Sequence, residues 1–355
     1  MARRIELVIF TVAIGLLLNA CSETPLPISH DNPDNYTLKN DVLWASPDGF
    51  DLTMDIYTPT SGKPSYPVIV MFHGGGWLIN DKSIMDQASA YIVSNAEYVV
   101  CNVNYRLLSD ADNTVRLNQI VNDAFGAVLW VKDNISDYAG DASNVIVTGD
   151  SAGAHLSAMV LNSGTNLSSV PFSEHSLNFT PTYLPAGRTA EDIAAEQGLT
   201  VQAATLNYGV FDVHKSALAG FESIKNPFWL MGGSIARGVF GDAHNVQDHP
   251  QMYRAVSPVY NIPEASTHSL PPTLLTSGSE DPVVTPESVR LYKQRLEAAG
   301  HTAKYWDYEG KTHAFLDSGS NRLLGSSFEH DAPPALAIMI KFLDGIFYPK
   351  EATDT

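Results

Sequence analysis

Short strand-like runs alternate along this chain with longer stretches whose apolar residues recur every three or four positions. PVIVMF at 67–72, YVVCNVNY at 98–105, NVIVTG at 144–149, PPTLLTSG at 271–278 and AKYWDY at 303–308 have strand length, and the continuous apolarity of PVIVMF suits a strand covered on both faces. Helices are expected near 81–95, at 152–161, near 286–299 and near 333–347. The clearest is at 117–135, where Leu117, Ile120, Val121, Ala124, Phe125 and Val128 form one apolar face. Repeated β-then-α order leaves few solutions, because parallel strands need crossover connections and the crossing helices then cover the sheet. The pattern predicts a mainly parallel α/β sheet of about eight strands with helices on both faces. An antiparallel pair, DVLWA and DLTMDIYTP, opens it around the turn Pro47-Asp48-Gly49.

Two stretches break the rhythm without ending it. Residues 163–200 are rich in Ser, Asn, Thr and Pro, with a short helical piece near 191–197, and the strand-like ATLNYGVFDV resumes at 204–213. A second insertion, about 214–268, carries Phe228, Trp229, Met231, Phe240 and Tyr253 among glycines and histidines and is expected to be partly helical. Residues 41–348 then read as one domain with two insertions, and 349–355 as a C-terminal tail.

Hydrophobic residues make up 44% of the 355, enough for a large core, so a disordered chain is excluded. Lysine and arginine total 21 against 39 aspartate and glutamate, a net charge of −18 with no basic run, which argues against nucleic acid as a partner. The first twenty residues stand apart: Arg3 and Arg4 precede an apolar stretch, Leu7–Leu18, too short for a bilayer span of about 20 residues and suited to a secretory signal. Leu18-Asn19-Ala20-Cys21 resembles the lipobox of bacterial lipoproteins. That resemblance implies cleavage before Cys21, lipid on Cys21 as the only membrane contact, and export to the cell envelope, with Ser22 pointing to the outer membrane. Residues 21–40 are expected to be a flexible spacer. With Cys21 lipidated, Cys101 would be the sole thiol and no intrachain disulfide could form.

Two glycine-rich motifs carry the chemistry. Gly149-Asp150-Ser151-Ala152-Gly153 lies between a β-branched strand and a small-residue helix, the context in which G-x-S-x-G forms a sharp elbow that exposes a serine hydroxyl. His73-Gly74-Gly75-Gly76-Trp77 directly follows PVIVMF, and its glycines let bare amides point at one small volume. The Gly74, Gly75 and Ala152 amides are the candidate oxyanion donors. His73, Gly76, Trp77 and Asp150 are support or pocket residues.

Together with VNYRL at 103–107, these motifs resemble the hormone-sensitive-lipase-like bacterial esterases, and HGGGW followed by DKS at 81–83 resembles the related acetyl and feruloyl esterases. The likeness covers about 41–348. It implies an α/β-hydrolase fold and serine carboxylesterase activity without metal or organic cofactor, on a small-molecule or carbohydrate ester with short or aromatic acyl groups. In this fold the serine is followed in the chain by the acid and then the histidine. Asp281 in SGSEDPVV and His313 in GKTHAF both follow strands, so Ser151, Asp281 and His313 are the expected triad, with Glu280 and Asp212 as substitute acids. An Arg106–Asp123 ion pair is expected to brace the elbow and His155 to pack on a helix face. An amidase or formamidase using the same triad, or a non-catalytic binding module on the scaffold, stands as the alternative; oligomeric state is open.

Overall fold

The computed structural model describes residues 35–349. Its sheet has eight strands: β1 (Tyr36–Ala45), β2 (Leu52–Pro59), β3 (Tyr66–Phe72), β4 (Val99–Val103), β5 (Gly140–Asp150), β6 (Ala203–Asn207), β7 (Thr273–Gly278) and β8 (Ala303–Tyr308). They lie in the order β1-β2-β4-β3-β5-β6-β7-β8. β1 and β2 pair antiparallel, as do β2 and β4, and every later pair is parallel. This is the expected α/β-hydrolase arrangement.

Helices follow the strands. The first part of the chain gives α1 (Asp86–Asn95), the short α2 (Asp110–Asn113), α3 (Leu117–Asn134) and α4 (Ala152–Ser163). The two insertions supply short pieces only, α5 (Ala190–Ala195), α6 (Val213–Leu218), α7 (Pro227–Met231) and α8 (Pro250–Ala255). α9 (Pro286–Ala298) and α10 (Phe328–Phe347) close the fold. Every residue of β3 is buried, because alternate side chains meet different helices. Val68, Val70 and Phe72 join a cluster with Val121 and Phe125 of α3 and Leu156 of α4. On the alternate positions, the Ser89 hydroxyl of α1 donates to Met71 Sδ (3.6 Å) and Thr148 of β5 to Met339 Sδ of α10 (3.8 Å).

The parallel register aligns the strand ends. Phe72 pairs with Gly149, Asp150 with Asn207, Asn207 with Thr276 and Gly278 with Tyr308, so the loops after β3, β5, β7 and β8 leave one edge of the sheet. Those loops carry the glycine run, Ser151, Asp281 and His313.

Three boundaries differ from expectation. β1 begins at Tyr36, so residues 36–40 are strand and not spacer. β1 is an edge strand, mostly exposed and held by its ladder to β2, and such a strand shows no apolar period. β6 ends at Asn207, where Tyr208 takes a positive φ of 41° and its N–H donates to Thr276 O (2.7 Å); the apolar residues that follow pack a turn. α10 starts at Phe328, a turn ahead of Pro333 and Pro334, with the Ser327 N–H donating to the Asp331 carboxylate (2.7 Å). The signal stretch, Cys21 and most of the spacer lie outside the described residues, as do residues 350–355. Among the described residues no helix is long and apolar enough to cross a membrane.

Candidate active site

Ser151 sits between β5 and α4 with φ 49° and ψ −112°. A non-glycine residue held there costs about 1–3 kcal/mol, so the surroundings must enforce it. Backbone contact does so. A Cβ on Gly153 would lie 1.9 Å from the Phe72 carbonyl oxygen, and one on Gly149 would lie 2.5 Å from both that oxygen and the Gly153 carbonyl carbon. Only glycine at both positions lets β3, β5 and α4 approach this closely. The elbow is then tied down: the Ser151 N–H donates to Asn207 O (2.9 Å), Asn207 Nδ2 donates to Gly149 O (3.0 Å), and the Thr276 hydroxyl donates to Asn207 Oδ1 (2.8 Å).

The histidine and the acid arrive from loops after β8 and β7. His313 Nδ1 lies 2.7 Å from Asp281 Oδ2, and His313 Nε2 lies 2.9 Å from Ser151 Oγ. A carboxylate can only accept, so Nδ1 carries the proton and Nε2 presents its lone pair to the serine hydroxyl. Asp281 is held in turn, its Oδ1 accepting from the N–H groups of Val283 (2.8 Å) and Val284 (2.9 Å). All three residues are buried. Glu280 points no carboxylate at the histidine; it is exposed. Asp212 caps α6, accepting from the Lys215 N–H (2.8 Å), and accepts from the Tyr260 hydroxyl (3.1 Å). The structure therefore brings Asp281, and neither substitute, to His313.

Gly74 packs closely against Asp150, so that a Cβ there would lie 2.3 Å from Asp150 Oδ2. Gly75 (φ 120°) and Gly76 (φ 60°) turn the loop, and among the described residues the amides of Gly74, Gly75 and Gly76, like that of Ala152, have no hydrogen-bond acceptor. A Cβ on Gly75 would meet Ile79 O at 2.2 Å.

His73 stacks on Tyr105 (centroids 4.3 Å apart), its Nδ1 donates to Gly74 O (2.7 Å), and the Tyr105 hydroxyl donates to His73 O (2.7 Å). His155 packs on Trp77 and accepts the indole N–H (3.2 Å) while its own Nε2–H donates to Val256 O (2.7 Å). Burial pushes both histidines down to about 4, so both are neutral imidazoles near neutrality. Arg106 pairs with Asp123 through Nη2 (2.6 Å) and Nε (2.9 Å), joining the loop after β4 to α3.

Sequence reasoning did not single out two residues beside the triad. Tyr208 sets its ring edge-on to His313, 4.8 Å between centroids, and its hydroxyl accepts from the Leu316 N–H (3.2 Å). Asp317, on the histidine's own loop, faces the Asp150 carboxyl. Burial and this like charge hold Asp150 well above the usual carboxylate range, and burial pushes Asp317 up to about 6 against the pull of His313. A positive φ at Tyr208 and a contact across the sheet edge leave no mark in local sequence. At Ser151 opens a cleft of about 420 Å³, with Trp77, Val210, Phe221, Phe228 and Val284 in its walls, so the second insertion supplies much of it.

A family model described as BD-FAE matches residues 54–296, more than half of the chain. The chain belongs to the BD-FAE family. The esterase LipQ of Mycobacterium tuberculosis is 27% identical to this BD-FAE member over 284 residues, which cover 79% of the chain and 58% of LipQ. The chain thus spans little more than half the length of LipQ. The carboxylesterase NlhH of the same organism is 23% identical over 267 residues, covering 75% of this chain and 72% of NlhH. Esterase 2 of Thermogutta terrifontis superposes with a TM-score of 0.62 at 22% identity, over 90% of this chain and 95% of that one, a likeness of fold. That esterase has been solved with propionate bound and with butyrate bound. The BD-FAE chain is therefore an α/β-hydrolase whose relatives bear the names of esterases.

Proposed function

We propose that this protein hydrolyses carboxylic esters through an acyl-enzyme on Ser151. The observation that carries the reading is the unbroken relay Ser151 Oγ, His313, Asp281 at 2.9 and 2.7 Å, buried and aimed into the cleft. His313 Nε2 takes the hydroxyl proton as Ser151 Oγ attacks the ester carbonyl, and Asp281 stabilises the imidazolium without taking the proton. The amides of Gly74, Gly75 and Ala152 receive the oxyanion; one such donor contributes about 10²–10³ in rate. His313 then protonates the leaving alcohol, and water repeats the cycle to release the acid.

The substrates are esters of short or aromatic acids, with carbohydrate as the alcohol. A cleft of about 420 Å³ with aromatic walls suits such groups, and the short acids found in the Thermogutta esterase support the size. The signal stretch and the lipobox-like run ending in Cys21 support a lipid-anchored enzyme exported to the envelope, its substrate met outside the cytoplasm.

A fluorophosphonate should label Ser151 stoichiometrically and abolish turnover of 4-nitrophenyl acetate and acetylated xylan. Ser151→Ala, His313→Ala and Asp281→Asn should each lower kcat by about 10⁴-fold or more with the circular-dichroism melt retained, whereas Glu280→Gln should leave the rate within twofold. Absence of labelling, or full activity in Ser151→Ala, would refute the reading. Turnover of anilides alone would move the substrate class from esters to amides.

A further inference from the structure

Trp77, Val210, Phe221, Phe228, Val283 and Val284 give the cleft at Ser151 its apolar surface. Ser216, Ser223 and Asn226 add neutral polar groups, and a single charged side chain, Lys225, completes the lining. The charge is isolated. Among the described residues the Lys225 ammonium makes no ion pair or hydrogen bond, which is also true of Lys39, Lys215 and Lys341, but only Lys225 lines the cleft. The nearest acid in sequence, Glu222, is committed elsewhere, accepting from the Val239 N–H (2.7 Å) and the Tyr253 hydroxyl (2.6 Å). Lys225 is thus an exposed cation on the wall of an otherwise uncharged cleft, in a chain with 39 acidic and 21 basic residues.

The loop that carries the lysine is held in place. The backbone N–H of Lys225 donates to Ser223 Oγ (3.2 Å), and Asn226 fixes the next step of the loop by donating to Phe221 O (2.8 Å) and accepting from the Phe228 N–H (3.2 Å). Ser223 Oγ accepts there, and its own proton has no acceptor among the described residues. Ser223 and Lys225 both line the cleft, and a hydroxyl donor together with an ammonium suits a carboxylate.

We propose that this cleft selects esters carrying a second, anionic group, a carboxylate on the acid or the alcohol half, with Lys225 as its counter-charge. The proposal rests on the esterase reading and narrows it. An exposed pair is screened by solvent, so Lys225 contributes a selectivity of about three- to tenfold and not an absolute requirement.

The test compares kcat/KM on matched pairs: mono-4-nitrophenyl glutarate against its methyl ester, and 4-carboxyphenyl butyrate against 4-carbamoylphenyl butyrate. In at least one pair the anionic-to-neutral ratio should fall about three- to tenfold in Lys225→Gln, fall further in Lys225→Glu, move through KM, and shrink in the parent at 0.5 M salt. Ratios within twofold of the parent in both pairs would overturn the proposal. Calorimetry in a Ser151→Ala background gives a readout free of turnover: mono-4-nitrophenyl glutarate should bind more weakly once Lys225→Gln is added. Equal binding refutes the anion site, whereas weakened binding in a protein that turns over no ester leaves the anion site standing and removes the esterase reading.

Discussion

Ser151 works from a backbone conformation that serine avoids, and what holds it there is the absence of two side chains, at Gly149 and Gly153, more than any contact of its own. The same economy shows at Gly74, whose missing Cβ makes room for the Asp150 carboxyl. Asp150 and Asp317 form an acidic pair behind the histidine, and their ionisation has a thermodynamic sign. Asp317 is pushed up to about 6 from the ordinary carboxylate range near 4, so the folded state disfavours its charge. Its contribution is therefore most favourable below about pH 4 and is lost as pH rises through 6. Removing that titration in Asp317→Asn, which also relieves Asp150, should raise the melting temperature relative to the parent, by a difference that grows between pH 4 and 6 and is flat beyond. A difference independent of pH would show that the pair does not titrate in this window.

At the level of elements, the site depends on strand ends in register and on loops that are braced. Arg106 ties the loop after β4 to α3 through Asp123, and both side chains are almost wholly buried. Thr182 from the first insertion joins them, its hydroxyl donating to the Asp123 carboxylate. Truncating one partner of such a pair strands the other charge and costs about 3–5 kcal/mol. Arg106→Ala should accordingly lower the urea midpoint substantially, while Arg106→Ala combined with Asp123→Ala should recover part of the loss. A single variant as stable as the parent would mean that water reaches Asp123. The element boundaries that sequence patterning missed share one cause. The start of β1 and the end of β6 are set by hydrogen bonds to other segments, β2 and Thr276, and the first turn of α10 by a side-chain cap from Asp331 within the helix; an apolar period records burial, not hydrogen bonding.

For the molecule as a whole, stability comes from the core. Cys101 is buried in β4, burial pushes its thiol far up, and only Cys21 could pair with it. Under the proposed export and lipid anchor, protein isolated from the envelope should show no thiol reactive to Ellman's reagent when folded and one when denatured, because Cys21 would be capped by lipid; two on denaturation would contradict the anchor. The alternation of apolar runs and amphipathic helices was sufficient to specify the parallel sheet, its helical cover and the two glycine motifs, because burial and backbone clearance act on neighbouring residues and leave a periodic or contiguous trace. The order serine, acid, histidine along the chain was likewise legible. Tertiary structure alone decided that Asp281 rather than Glu280 meets His313, that Gly74 packs against the Asp150 carboxyl, and that Lys225 stands unpaired in the cleft wall. Each of these is a distance between atoms far apart in sequence, set by how strands register and loops cross, and no local pattern of residues encodes such a distance.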